Sequence, residues 1–209
     1  IPRIYLIELV GDFIYNAQRQ WRLPFALATM HEWVGTIRTK QKQTTLTVVL
    51  FIFYIVALVW IILFKLQLSL AGMDHVRAIN LVPLQGSFDA NGTINRNEIL
   101  YNVFIFIPLG VYIGMLKHKW SVAQKACLVF AASLAFEVLQ YVFAIGRSDI
   151  TDLLANTLGG IIGIVVFAGL SKLLKSKANK LINSIALVAT VCALLLSSLL
   201  FMGVIRYRL

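Results

Sequence analysis

Apolar residues run through this chain in long blocks, and the polar positions collect between them. A bilayer core about 30 Å thick needs roughly 20 apolar residues in a helix. Five segments reach or approach that length: Leu46–Leu66, Ile99–Leu116, Ala123–Ile145, Thr151–Leu174 and Leu181–Val204. The first is an unbroken run of Val, Ile, Leu and Phe. The second is shorter and carries Pro108, which is expected to kink it. Short linkers join the last four, which predicts antiparallel packing of sequence neighbours. The pattern therefore predicts an all-α fold, a polytopic transmembrane helix bundle of about five spans.

Composition supports lipid as the solvent. Of 209 residues, 59% are hydrophobic and only 13% charged, against roughly 45–50% and about 25% in soluble domains. Net charge is +10. The Lys and Arg residues sit between apolar spans, where orientation signals and anionic headgroups account for them, so no nucleic-acid partner is assigned. Membrane lipids are the expected surroundings. Cys127 and Cys192 lie inside apolar spans and read as small buried hydrophobes rather than a disulfide. Residues 1–45 read as a cytoplasmic or interfacial segment, 46–66 as the first span and 181–204 as the last. Within the first segment, Met30 opens a second plausible start, so residues 1–29 read either as an upstream extension or as an amphipathic helix lying on the membrane.

The basic residues also orient the chain. Ten fall on one side of the expected bundle, namely Arg38, Lys40, Lys42, Lys117, Lys119, Lys125, Lys172, Lys175, Lys177 and Lys180. Six fall on the other, Lys65, Arg77, Arg96, Arg147, Arg206 and Arg208. The expectation is a multi-pass protein of the cytoplasmic membrane with its N-terminus cytoplasmic and its C-terminus extracytoplasmic. The long connection 67–97 and the tight turn Gly146–Ile150 then lie outside.

Polar groups cluster toward that outer side. Ser133, Glu137 and Gln140 are four and three residues apart, on one face of the third span. Glu137 lies eight residues before Ile145, about 12 Å from the edge at ~1.5 Å per residue. Asp149, Asp152 and Asn156 share a face at the start of the fourth span, and Glu98 and Asn102 are four apart at the start of the second. Arg147 is the cation placed to balance these acids. The inferred feature is a polar pocket toward the outer leaflet, with Asn102, Glu137, Gln140, Arg147, Asp149, Asp152 and Asn156 as candidate ligand-binding residues. Structural roles compete with this. The asparagines can bond between helices for about 0.6 kcal/mol each, Asp149 can cap a helix, Glu137 can be a buried structural acid and Arg147 a headgroup anchor. Gly110 and Gly114, with Gly159, Gly160 and Gly163, form Gly-x-x-x-Gly patterns that read as helix packing.

Catalytic templates find little. There is no His-Glu-x-x-His pair, no Gly-x-Ser-x-Gly elbow and no phosphate loop. His31, His75 and His118 are scattered. Glu137, Asp149 and Asp152 are ligand types that hard cations accept, but nothing in their spacing demands a metal. No metal or cofactor is assigned.

Several of these segments occur together in a known order. Asn80–Leu84 (Asn-Leu-Val-Pro-Leu) is followed by Glu98–Gly110 (Glu-Ile-Leu-Tyr-Asn-Val-Phe-Ile-Phe-Ile-Pro-Leu-Gly). Glu137-Val138-Leu139-Gln140 comes next, then Arg147–Asp152 (Arg-Ser-Asp-Ile-Thr-Asp) and Asn156-Thr157-Leu158-Gly159-Gly160 with Gly163. This order resembles the VanZ-like family of bacterial membrane proteins, over about residues 76–170, and 76–174 is read as the VanZ-like domain. The resemblance implies an envelope protein connected with resistance to the lipoglycopeptide teicoplanin. It supplies a phenotype and no reaction.

Three functions fit these residues. One is a non-enzymatic protein that binds a lipid-linked or lipid-tailed ligand at the outer leaflet. Another is an enzyme acting on a lipid headgroup, with Glu137 or Asp152 as general acid/base. The third is a small lipid or amphiphile transporter, disfavoured by the apolar inner halves of the spans and the lack of an internal repeat, unless the chain oligomerises. Oligomeric state stays open.

Overall fold

The structure, a computed structural model, describes residues 23–64, 76–85, 88, 94 and 96–201. The elements in chain order are α1 (Leu23–Phe64), β1 (Val76–Asn80), α2 (Arg96–Leu116), α3 (Val122–Phe143), β2 (Ile145–Asp149), α4 (Ile150–Leu174) and α5 (Lys177–Phe201). The chain forms two compact units, Ile1–Gln43 and Thr44–Leu209. The first unit's described residues are the N-terminal part of α1; the side-chain contacts that follow belong to the second.

Five helices are long and apolar enough to cross a membrane: Gln41–Leu63, Arg96–Leu116, Val122–Phe143, Ile150–Leu174 and Lys177–Leu199. They correspond one to one with the apolar runs. Their outward surfaces are apolar, with Phe53, Phe104, Val165 and Leu195 among the exposed side chains, as suits helices that satisfy their own backbone groups in lipid. The bundle is all-α in its spanning part. His75, Lys65, Arg206 and Arg208 lie outside the described residues.

The most extensive helix contact joins α2 to α4, which are not sequence neighbours. Gly159 faces the Val103 carbonyl, Gly163 faces the Ile107 carbonyl, and Gly110 faces Gly160 and Ile164. These partners advance together along both helices, so the pair is parallel. A Cβ on Gly110, Gly159 or Gly163 would collide with the opposite backbone, so glycine is what lets the two backbones touch. α3 packs antiparallel against both; its Val129 side chain fills the space over Gly160, and Phe136 meets Phe106 edge to face at 6.2 Å. Phe106, Val129 and Ile164 are fully buried at this centre. Pro108 lies within α2. One turn earlier, the Ile105 carbonyl accepts the Tyr54 hydroxyl of α1 at 2.6 Å.

The sequence predicts a tight turn at 146–150. Instead Ile145–Asp149 is a strand, paired in parallel with β1 from Val76↔Ile145 to Asn80↔Asp149. The physical reason is the preceding residue. Ala144 adopts the left-handed conformation (φ 54°, ψ 37°) and its N–H closes onto the Gln140 and Tyr141 carbonyls, ending α3. The chain leaves the helix extended, and the α1–α2 connection lies beside it as β1.

Candidate functional site

β2 delivers the chain to the N-terminus of α4, and the site is built around that point. Asp149 is the cap, with extended backbone (φ −123°, ψ 127°) and Oδ1 accepting the Thr151 N–H at 2.8 Å. A cap of this type satisfies one of the helix's unpaired donors. Its other oxygen, Oδ2, accepts Asn80 Nδ2 at 2.8 Å. Asn80 is Asp149's register partner in the sheet, so strand pairing and side-chain bond fix the same alignment. The following turn is held too, because the Leu84 N–H donates to Thr151 Oγ1 at 2.8 Å.

Glu137 reaches this cap from α3. Its Oε2 accepts the Asp149 N–H at 2.9 Å, and Ser148 Oγ lies 3.2 Å from both that oxygen and the Glu137 carbonyl. Glu137 is 5% exposed. The carboxylate thus meets the positive end of the α4 dipole and ties α3 to α4.

The remaining candidates take separate partners. Asn102 of α2 donates to Asp152 Oδ1 at 2.6 Å, and both are half-buried. Asn156, one turn deeper on α4, donates to Ser133 of α3 at 3.1 Å. Gln140 turns toward α1, where its Nε2 donates to the Ile62 carbonyl at 3.2 Å. The Arg147 backbone lies in β2, and its side chain lies outside the described residues. The structure therefore gathers Glu137, Asp149, Asp152, Asn102 and Asn156 around one helix terminus and places Gln140 beside it.

Acid is concentrated here. Glu137, Glu98 and Asp149 all lie near enough to Asp152 to act on its charge. Among the described residues, no three His, Cys, Asp or Glu groups converge to hold a metal ion. Asn80, Leu84 and Thr151 were not assigned to the site from sequence. For Asn80 and Leu84 the signal was the Asn-Leu-Val-Pro-Leu segment, whose Pro83 marks a turn that needs an anchor, and for Thr151 the Arg-Ser-Asp-Ile-Thr-Asp segment.

The VanZ/LLP1 family model matches residues 51–175, more than half of the chain. This protein belongs to that family. Over 120 residues it is 41% identical to "Protein VanZ" of Enterococcus faecium, covering 56% of this chain and 70% of that protein. No solved structure matches it. The VanZ/LLP1 region takes in the spanning helix α1 from Phe51 as well as α2, α3 and α4, so every contact described around the α4 N-terminus falls within it. With five apolar helices of spanning length, the chain is a VanZ-like multi-pass membrane protein.

Proposed function

We propose that this VanZ-like protein is a non-enzymatic component of the bacterial cytoplasmic membrane that binds an amphiphile at its outer leaflet. Lowered susceptibility to lipoglycopeptides such as teicoplanin is the phenotype we attach to that binding. The observation that carries the reading is the Asn102–Asp152 pair, half-buried and joined at 2.6 Å beside the acid-rich start of α4. Next to it on the same helices, Tyr101, Phe104, Leu154 and Leu158 are exposed. A polar group at the edge of an apolar wall suits a ligand with a polar head and a lipid tail. The outward placement rests on the Lys and Arg asymmetry. Glu137 Oε2 is already engaged by Ser148 and the Asp149 N–H, which argues against a general acid/base role for that oxygen.

An enzyme acting on a lipid headgroup is the second reading. What favours it is Asp152, a carboxylate that is not fully buried, surrounded by other acids. Turnover by purified protein that disappears in Asp152→Asn would establish it.

The deciding experiment expresses wild type, Asp152→Asn and Asn102→Leu at matched membrane levels in a susceptible Gram-positive host. Inhibitory concentrations of teicoplanin and vancomycin are measured. Protection against teicoplanin alone, lost in both variants, is the expected result. Equal protection by all three proteins would remove the site from the function.

A further inference from the structure

The hydrogen-bonding groups around the α4 N-terminus are unequally matched. Each primary amide nitrogen there is engaged: Asn80 with Asp149, Asn102 with Asp152, Asn156 with Ser133 and Gln140 with Ile62. Acceptors remain. Asn156 Oδ1 and Gln140 Oε1 have no partner among the described residues, although Asn156 is 3% exposed and Gln140 8%. The orientation of Gln140 is determined by its partner, since the Ile62 carbonyl only accepts. Asn156 lies between α3 and α4, one turn inside Asp152 on its own helix and bonded to Ser133, which is one turn inside Glu137. Asn156 therefore lies one helical turn beneath the two acids. Buried polar groups in proteins are almost always paired, and in lipid no bulk water relieves them.

Resting on the amphiphile-binding reading above, we infer that the head group recognised here is a hydrogen-bond-donating cation, the primary ammonium of an amine-headed amphiphile. Unpartnered buried acceptors beside a cluster of acids call for one kind of partner. An ammonium brings three N–H donors, one positive charge and no acceptor. A phosphate or carboxylate head brings acceptors and the wrong sign. A quaternary ammonium brings the charge with no donor. Asp152 is the counter-ion, Glu98 adds charge at the entrance, and the Asn156 carbonyl is the buried acceptor. Exposed Tyr101 and Phe104 on α2 flank the tail.

The full chain in phosphatidylcholine nanodiscs is titrated with dodecylamine, dodecyltrimethylammonium, dodecyl phosphate and dodecyl maltoside, with empty discs as baseline. Dodecylamine is expected to bind saturably and on the order of tenfold tighter than the trimethyl analogue, the ratio for one charge-assisted hydrogen bond. Asp152→Asn should weaken dodecylamine by about the same factor. Glu98→Gln, at an exposed position in the first turn of α2, should weaken it less. Adding phosphatidylethanolamine to the discs identifies the source: competition with dodecylamine points to a bilayer lipid, and its absence to an amine amphiphile from outside the bilayer. Equal binding of all head groups, or tightest binding of dodecyl phosphate, overturns the ammonium inference and leaves the amphiphile site standing. Saturable binding by none of the four overturns both.

Discussion

Glu137 on α3 and Asp149 at the start of α4 are joined through a side-chain oxygen and a backbone N–H 2.9 Å apart, both groups buried. The bond joins two helices at the point where the chain reverses between them. Removing the acceptor strands the Asp149 N–H and the Ser148 hydroxyl, and a buried unpaired group costs about 1–3 kcal/mol. Glu137→Ala is therefore expected to lower unfolding stability by that amount. Glu137→Gln keeps an acceptor oxygen and should cost less. Detergent-based unfolding midpoints for the two variants test this; equal midpoints for Ala, Gln and wild type would rule out the structural role.

The α2–α4 contact makes a sharper demand. Gly163 packs on the Ile107 carbonyl, with no space for a Cβ, whereas Gly169, six residues on, has nothing within 4 Å of where its Cβ would be. Gly163→Leu should cost at least the ~1–3 kcal/mol typical of overpacking, because the obstruction is backbone and cannot rotate away. Gly169→Leu should fold like wild type. Comparing folded yield and unfolding midpoint of the two variants checks the assignment, and similar losses at both positions would refute it.

The turn after β1 carries a strained residue. Val82, Pro83, Leu84 and Gln85 close through the Gln85 N–H and Val82 carbonyl at 3.2 Å. Leu84 has φ 66°, at the position where such turns usually place glycine. Left-handed backbone costs a side-chain-bearing residue about 1–2 kcal/mol. Thr151 Oγ1, which accepts the Leu84 N–H, helps to hold it. Thr151→Val is expected to raise hydrogen exchange at the Leu84 amide, and Leu84→Gly on that background to restore turn closure. Unchanged exchange in Thr151→Val would show that the hydroxyl does not anchor the turn.

These relationships mark how far the sequence was legible. The spanning helices were, since a bilayer imposes their length and apolarity on any sequence that crosses it. Same-face spacing put Glu137 with Gln140 and Asp152 with Asn156, yet Glu137 meets the α4 cap while Gln140 turns to α1. Spacing says nothing about partners, so Gln140's bond to Ile62 of α1 and Asn156's to Ser133 appear only once helices are packed. The parallel α2–α4 pairing was hidden because the glycine patterns announce close contact without saying which helices meet. The β1–β2 pair was hidden for a different reason. Two five-residue strands about 70 positions apart carry little local signal, and the Asn80–Asp149 bond that aligns them is entirely long-range.

A second buried polar pair, away from the α4 N-terminus, tests how α5 is attached. Thr47 of α1 and Asn183 of α5 exchange hydrogen bonds, Thr47 Oγ1 donating to Asn183 Oδ1 at 3.1 Å and Asn183 Nδ2 donating to Thr47 Oγ1 at 2.9 Å. Thr47 is 3% exposed and Asn183 1%. α5 lies beyond the 51–175 family match, and most of its apolar side chains are exposed. Apolar contact adds little specificity where lipid tails are equally apolar, so a polar pair is what can align this helix. A double-mutant cycle with Thr47→Val and Asn183→Leu is expected to give a coupling near 0.6 and up to about 1.7 kcal/mol. Each single variant should loosen α5, seen as faster proteolysis in the 175–177 linker, while the α2–α4 contact keeps its protection. Zero coupling with unchanged proteolysis would mean that α5 is held by apolar packing alone, through residues such as Ala178 and Ile182.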